Sequence, residues 1–263
     1  MASSFEEEYS KLEEKFRKKV EKDNVVAGNE NIIYLPPFTM FPDEYNGKVD
    51  YILIGMEPSL GRWAKTQKQA QYKISHGFVD YITSFEDFIL HFAIRQYLCK
   101  NGETYCLTNL SKGAMLVKSA GTNRNKRYIE WYPLLFEEIE LLAKDTTKIF
   151  SIGYSHVQSF LVDNKFSEIT GYEPHPIMHY SPLAAKHRNK FEILQSVKTQ
   201  DILDTAEYVF KGKNIDPNLA AEILKRLRNR TLTESQKKLL FHYKTEFENI
   251  KNCFYNEIDK LGG

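Results

Sequence analysis

The chain is poor in cysteine: Cys99, Cys106 and Cys253 are all it has in 263 residues. No two stand at the close spacing of a zinc site, and three cannot build a disulfide framework. A reducing, cytoplasmic compartment is the simplest fit. No run of eighteen apolar residues occurs, so no membrane-spanning helix and no membrane association is expected. The opening MASSFEEEYSKLEEKF is charged and lacks the apolar centre of a secretory signal. Neither GxGxxG after the first strand-like run nor GxxxxGK[ST] anywhere is present, which ranks nucleotide and phosphosugar enzymes low. Internal repeats and low-complexity tracts are absent too.

What is there is a core-forming chain, 42% hydrophobic. Its length suits one sizeable domain with appendages or two small ones. Four short apolar runs read as strands: Val49–Ile54, Thr104–Leu110, Lys148–Ile152 and Pro176–Tyr180. Between them lie helical patterns, Ser84–Lys100 from a Ser cap and Tyr128–Lys144 with Pro133 in its first turn. Strands alternating with helices predict an α/β fold, a central mostly parallel four-stranded sheet flanked by helices. Both chain ends read as helical additions. The division expected is an N-terminal helix over 1–25, a central domain over 26–200 and a helical extension over 201–263.

The net charge of +1 hides a segregation. Arg62, Lys65, Lys68 and Lys73 lie in one acid-free stretch, Lys112, Lys118, Arg124, Lys126 and Arg127 in a second, and Lys186, Arg188 and Lys190 in a third. Twelve cations in three stretches leave the remainder at −11. Such a pattern predicts a face that meets a polyanion. In a parallel sheet ligands lie off the carboxyl ends of the strands, and three strand-like runs end in these basic loops.

The first of those ends is VDYILIGMEPS, in which Glu57 follows a buried strand and the turn at Gly55. A carboxylate there is either tied off structurally, as by capping a helix after Pro58, or it does chemistry. Two further strand ends, LTNLSK (107–112) and HYSPLAAKHR (179–188), complete a set of three. In this order the three motifs resemble the uracil-DNA glycosylase superfamily over roughly residues 30–195. GMEPS is similar to that family's GQDPY, with Glu57 at the catalytic Asp. LTNLSK is similar to the motif whose Asn reads the base edge, and HYSPLA to HPSPLS. The stretch from TNLSK to IFSIG also resembles the iron–sulfur branch of the superfamily.

The resemblance implies a uracil-DNA glycosylase-like fold and a set of roles. Glu57 stabilises the sugar cation and His179 the departing base, Asn109 reads the flipped base, and Leu183 fills the hole it leaves. Ser59 and Phe78 (or His76) line the base pocket. Ser181, Lys112, Arg124, Arg127, Lys186 and Arg188 meet the phosphates of DNA. Plainer readings stand beside these: an Asx-turn for Asn109, core packing for His179 and Leu183, solvated surface for the cations. No cofactor is expected, and no iron–sulfur cluster, which needs four cysteines.

Departures from the family pattern bear on the substrate. Its uracil-specific branch has Tyr after the proline, a ring that blocks groups on C5 of the pyrimidine; here Ser59 follows Pro58. The expectation is relaxed or lost uracil selectivity and a C5-modified pyrimidine as target. Hydroxymethyl or glucosylated cytosine of phage DNA would fit, making the protein a defence enzyme. The alternatives are a repair glycosylase for uracil or another deaminated base, and a non-catalytic nucleic-acid-binding module.

Overall fold

The computed structural model describes residues 4–27, 32–35, 38–40, 47–58, 69, 86–115, 120–121, 123–212 and 217–261. In chain order its elements begin with α1 (Ser4–Ala27), β1 (Ile33–Tyr34), β2 (Phe38–Met40), β3 (Val49–Gly55), α2 (Glu86–Ala93), β4 (Tyr105–Asn109), β5 (Gly113–Ala114), α3 (Arg124–Leu142) and β6 (Ala143–Ile152). They continue with α4 (Ser159–Asp163), α5 (Phe166–Thr170), β7 (Pro174–Ile177), α6 (Thr199–Gly212), α7 (Pro217–Arg228) and α8 (Glu234–Leu261). Single π turns cover Ile94–Leu98 and Tyr154–Gln158, and a 3-10 segment covers Pro182–Lys190. The chain forms two compact units, Met1–Ser75 with Thr104–Pro176 and His76–Glu103 with Ile177–Gly263. Among the described residues no helix is long and apolar enough to cross a membrane.

The first unit carries the expected α/β architecture. Its sheet has the order β2-β4-β3-β6-β7. The central strand β3 runs parallel to both β4 and β6, and the short β2 pairs antiparallel with β4 at the edge. Covered on both faces, β3 needs no polar alternation, and only Asp50 breaks its buried run. That carboxylate accepts Thr104 N–H at 2.8 Å and the Thr104 hydroxyl at 3.0 Å, and pairs with Lys144. It thereby ties the amino ends of β3, β4 and β6 together. Burial alone would raise the Asp50 pKa, but these bonds hold it below the usual carboxylate value. One face of the sheet packs on Leu135, Ile139 and Leu142 of α3 and on Phe160, each such side chain contributing roughly 1.5–3 kcal/mol on burial.

Three expectations change here. First, α1 is no appendage: Leu12, Phe16 and Val20, spaced by four, share a core cluster with Met115 and Trp131. The Trp131 indole N–H also donates to Asp23 at 2.9 Å. Second, α3 begins at Arg124, so Pro133 sits in its interior. Its missing N–H leaves the Ile129 carbonyl without a helix partner, and Pro133 and Ile129 are both exposed, so the defect falls on the solvent face of the helix. Third, β7 ends at Ile177, two residues before His179.

The second unit joins the segment after residue 76 to the C-terminal helices. Within it α8 packs on α2, the π turn and the 3-10 segment, and α6 packs on α2 and α7. Leu239, Leu240, Tyr243 and Phe247 form the buried stripe of α8. A reciprocal cap starts that helix: Thr233 N–H donates to Gln236 Oε1 at 2.9 Å, and Gln236 N–H to Thr233 Oγ1 at 3.2 Å. Farther along, Lys251 Nζ donates to the Leu98 carbonyl at 2.7 Å and pairs with Glu103. Residues 201–263 are therefore not a separate extension; they share one body with residues 86–103 and with the HYSP segment.

Candidate active site

In the first unit the carboxyl ends of β3 and β4 bring two motifs side by side. Gly55 and Asn109 are register partners in the parallel ladder. A Cβ on residue 55 would stand 2.6 Å from the Asn109 carboxamide oxygen. GMEP thus needs its glycine so that the Asn109 side chain can lie across the end of β3. Beyond it Leu110 N–H donates to the Gly55 carbonyl at 2.9 Å, which fixes the turn. The Asn109 amide itself has no hydrogen-bond partner among the described residues. Placed at two adjacent strand ends and only half-buried, it is a donor–acceptor pair left for something else to meet.

Glu57 is tied down. Its Oε1 accepts from Arg124 Nη2 at 2.8 Å, its Oε2 from the Tyr128 hydroxyl, and Arg127 Nη2 stands 3.8 Å away. Only 4% of the side chain is exposed. Arg124, Arg127 and Tyr128 are one helical turn of α3, offset by three and four, so all three lie on one face. The tyrosine is itself buried against Phe160, edge-on at 5.3 Å. Burial first, and then the adjacent carboxylate, push the Tyr128 hydroxyl far above its ordinary pKa, so it stays a donor. The helix after Pro58, whose cap is the plain alternative for Glu57, would lie outside the described residues. Two of the cations expected at phosphates, Arg124 and Arg127, thus face a carboxylate of their own chain.

Lys112 is corrected more fully. Its side chain is 1% exposed and its Nζ lies 2.7 Å from Glu138 Oε2, Thr108 Oγ1 and the Asn109 carbonyl. A group so enclosed meets no phosphate; it braces the backbone of Asn109 from beneath. Glu138 Oε1 and Ser111 Oγ are buried beside this cluster without partners among the described residues.

The second unit holds the HYSP segment. Ser181 N–H donates to His179 Nδ1 at 3.0 Å, so the proton of the neutral ring sits on Nε2. The ring stacks on Tyr180 at 4.6 Å. Ser181 precedes the 3-10 segment without capping it, and its hydroxyl has no partner among the described residues. Arg188, 2% exposed, donates to the carbonyls of Tyr180 and Ser181 and to Ser235 Oγ. It is an internal brace, which corrects the phosphate contact expected of it. Lys186 is exposed. Ser59, Phe78 and His76 lie outside the described residues, as does the side chain of Leu183.

Several contributors escaped sequence reasoning. Tyr128 was legible in principle, since placing the helix start at Arg124 would have put R-x-x-R-Y on one face. Glu138, His242 and Tyr243 carry no local signal, because their partners are 26 to 65 residues away. No protein-family model and no curated protein matches the chain.

Proposed function

We propose that the protein is a DNA N-glycosylase that flips a base out of DNA and cleaves its glycosidic bond, leaving an abasic site. Breaking that bond builds positive charge on the sugar and negative charge on the base. In this reading Glu57 supplies the anion that faces the sugar, and His179 donates from Nε2 to the leaving base; one preorganised donor of this kind contributes about 3–4 kcal/mol. The carrying observation is Asn109, whose amide, without a partner among the described residues, lies across Gly55 two residues before the acid. Its donor and acceptor match the edge of a pyrimidine. The target class is a C5-modified pyrimidine of phage DNA, argued from Ser59 where the uracil-specific branch has a ring.

Against a direct role for Glu57 stands its enclosure by Arg124 and Tyr128. That enclosure favours a second reading, a non-catalytic nucleic-acid-binding module in which Glu57 only orients the start of α3. One assay separates the two. Oligonucleotides carrying cytosine, uracil, thymine, hydroxymethylcytosine or its glucoside are incubated with the protein and then cleaved with alkali. Strand scission at one modified base, lost in Glu57→Gln, supports the enzyme. Scission confined to uracil sinks the enlarged pocket, and none at any base leaves the binding module.

A further inference from the structure

The backbone around His179 is gripped by α8 and by Arg188 of the 3-10 segment. On the residue before His179, both backbone groups are taken: Met178 N–H donates to His242 Nε2 at 3.0 Å, and the Tyr243 hydroxyl donates to the Met178 carbonyl at 2.8 Å. On the two residues after it, the carbonyls of Tyr180 and Ser181 accept from Arg188, which itself rests on Ser235 Oγ at 3.1 Å. Ser235, His242 and Tyr243 are all on α8. Phe191, just past the 3-10 segment, stacks on the His242 ring at 4.6 Å. His242 and Tyr243 are buried, so these bonds form away from water, where losing one partner costs most.

We propose that α8 is the positioning element of His179, with His242, Tyr243 and the Ser235–Arg188 pair holding the flanking backbone so that Nδ1 meets the Ser181 N–H and Nε2 carries the proton. The Ser181 N–H reaches back two residues to the imidazole only if residues 178 to 181 keep their turn. Nothing in HYSP imposes that turn by itself, since the Ser181 side chain makes no cap. The four backbone bonds from α8 and Arg188 impose it instead. The acceptor on Met178 N–H must be an unprotonated nitrogen, so His242 is a neutral ring with its proton on Nδ1. The residues are positioning residues, acting through His179 rather than on substrate.

This inference deepens the glycosylase reading and rests on it for its kinetic arm, so the test has a second arm that does not. The ring nitrogens of His179 are followed by 15N-resolved NMR in the full-length protein and in Tyr243→Phe, His242→Leu, His242→Gln and Ser235→Ala. The wild-type ring should show an unprotonated Nδ1 and a protonated Nε2. Tyr243→Phe and His242→Leu should mix the tautomers, and His242→Gln, which keeps an acceptor, should restore the wild-type pattern. On the base that is cleaved, the first two should lose on the order of 10- to 100-fold in kcat with KM little changed. Unchanged His179 nitrogen signals in folded Tyr243→Phe overturn the proposal; that variant removes one oxygen and carries the test if His242→Leu does not fold. Wild-type protein inactive on every base would instead strike at the glycosylase reading, while the nitrogen signals still decide the role of α8.

Discussion

Gly55 and Asn109 end adjacent parallel strands with the Asn109 carboxamide oxygen 2.6 Å from where a residue-55 Cβ would be. The side chain of one motif occupies the space left by the glycine of the other. Gly55→Ala must push the amide aside or open the β3–β4 ladder. Overpacking of this kind costs about 1–3 kcal/mol. Urea unfolding should show that loss, and base excision should fall further than stability accounts for. Full activity in Gly55→Ala would mean that Asn109 does not need its present place.

Glu57 offers a sharper division between chemistry and architecture. Glu57→Ala takes a carboxylate from Arg124 and Arg127 and strips Tyr128 of its acceptor; a loss of roughly 2–4 kcal/mol is expected for a largely buried pair. Tyr128→Phe removes one bond and should cost about 1 kcal/mol. If Glu57 only orients α3, activity in the two variants should track stability. A catalytic carboxylate predicts that Glu57→Gln abolishes excision, a loss far beyond what its lowered stability in urea accounts for.

The cations divide into internal and external sets, and salt dependence can tell them apart. Lys112→Met should destabilise by about 3–5 kcal/mol by stranding Glu138, yet leave the slope of log K against log[salt] for DNA binding unchanged. Lys186→Ala should do the opposite, with stability kept and the slope reduced by about one if Lys186 meets a phosphate. Filter binding from 50 to 200 mM salt, about the range over which such slopes are read, suffices. A slope already flat in the wild type would remove DNA as partner.

The His242 ring predicts an acid-side weakness. Burial, aided by Lys190, lowers its pKa from 6.5 to about 4. Between those values the unfolded chain binds a proton that the folded chain refuses, so stability falls as pH drops through that window and levels off below it. The loss is on the order of 3 kcal/mol. Glu246, whose pKa is raised by burial, contributes a smaller slope of opposite sign. Urea midpoints at several pH values between neutrality and the lower limit, for wild type and His242→Gln, measure it; equal pH profiles for the two would show that another group is responsible.

How far the fold was legible depended on range. The β3 run was plain because a strand buried on both faces is a short apolar block with a turn after it. The amphipathic α8 announced itself through its stripe and its Thr233–Gln236 cap. What could not be read was partnership across the chain. LTNLSK and HYSPLAAKHR looked like two basic loops, because a lysine paired with Glu138 and an arginine paired with carbonyls are spelled the same way as lysines in water. Charge clustering counts ions without their partners, and here Lys112, Arg124 and Arg127 face carboxylates inside while Arg188 spends its charge on carbonyls. The α3 start was misplaced for a related reason. Proline is commonest in a first turn, and only the exposed face of Pro133 makes an interior position tolerable.

The interleaved second unit has a consequence for synthesis. Residues 86–98 leave the ribosome early, carrying Phe88, Ile89, Phe92 and Leu98, all at most 3% exposed in the finished protein. Among the described residues, the helices that pack on them are α6 and α8, both far downstream in the chain. Until those helices emerge the apolar segment lacks the cover they give it, so the nascent chain should be a client for chaperones over that stretch of synthesis.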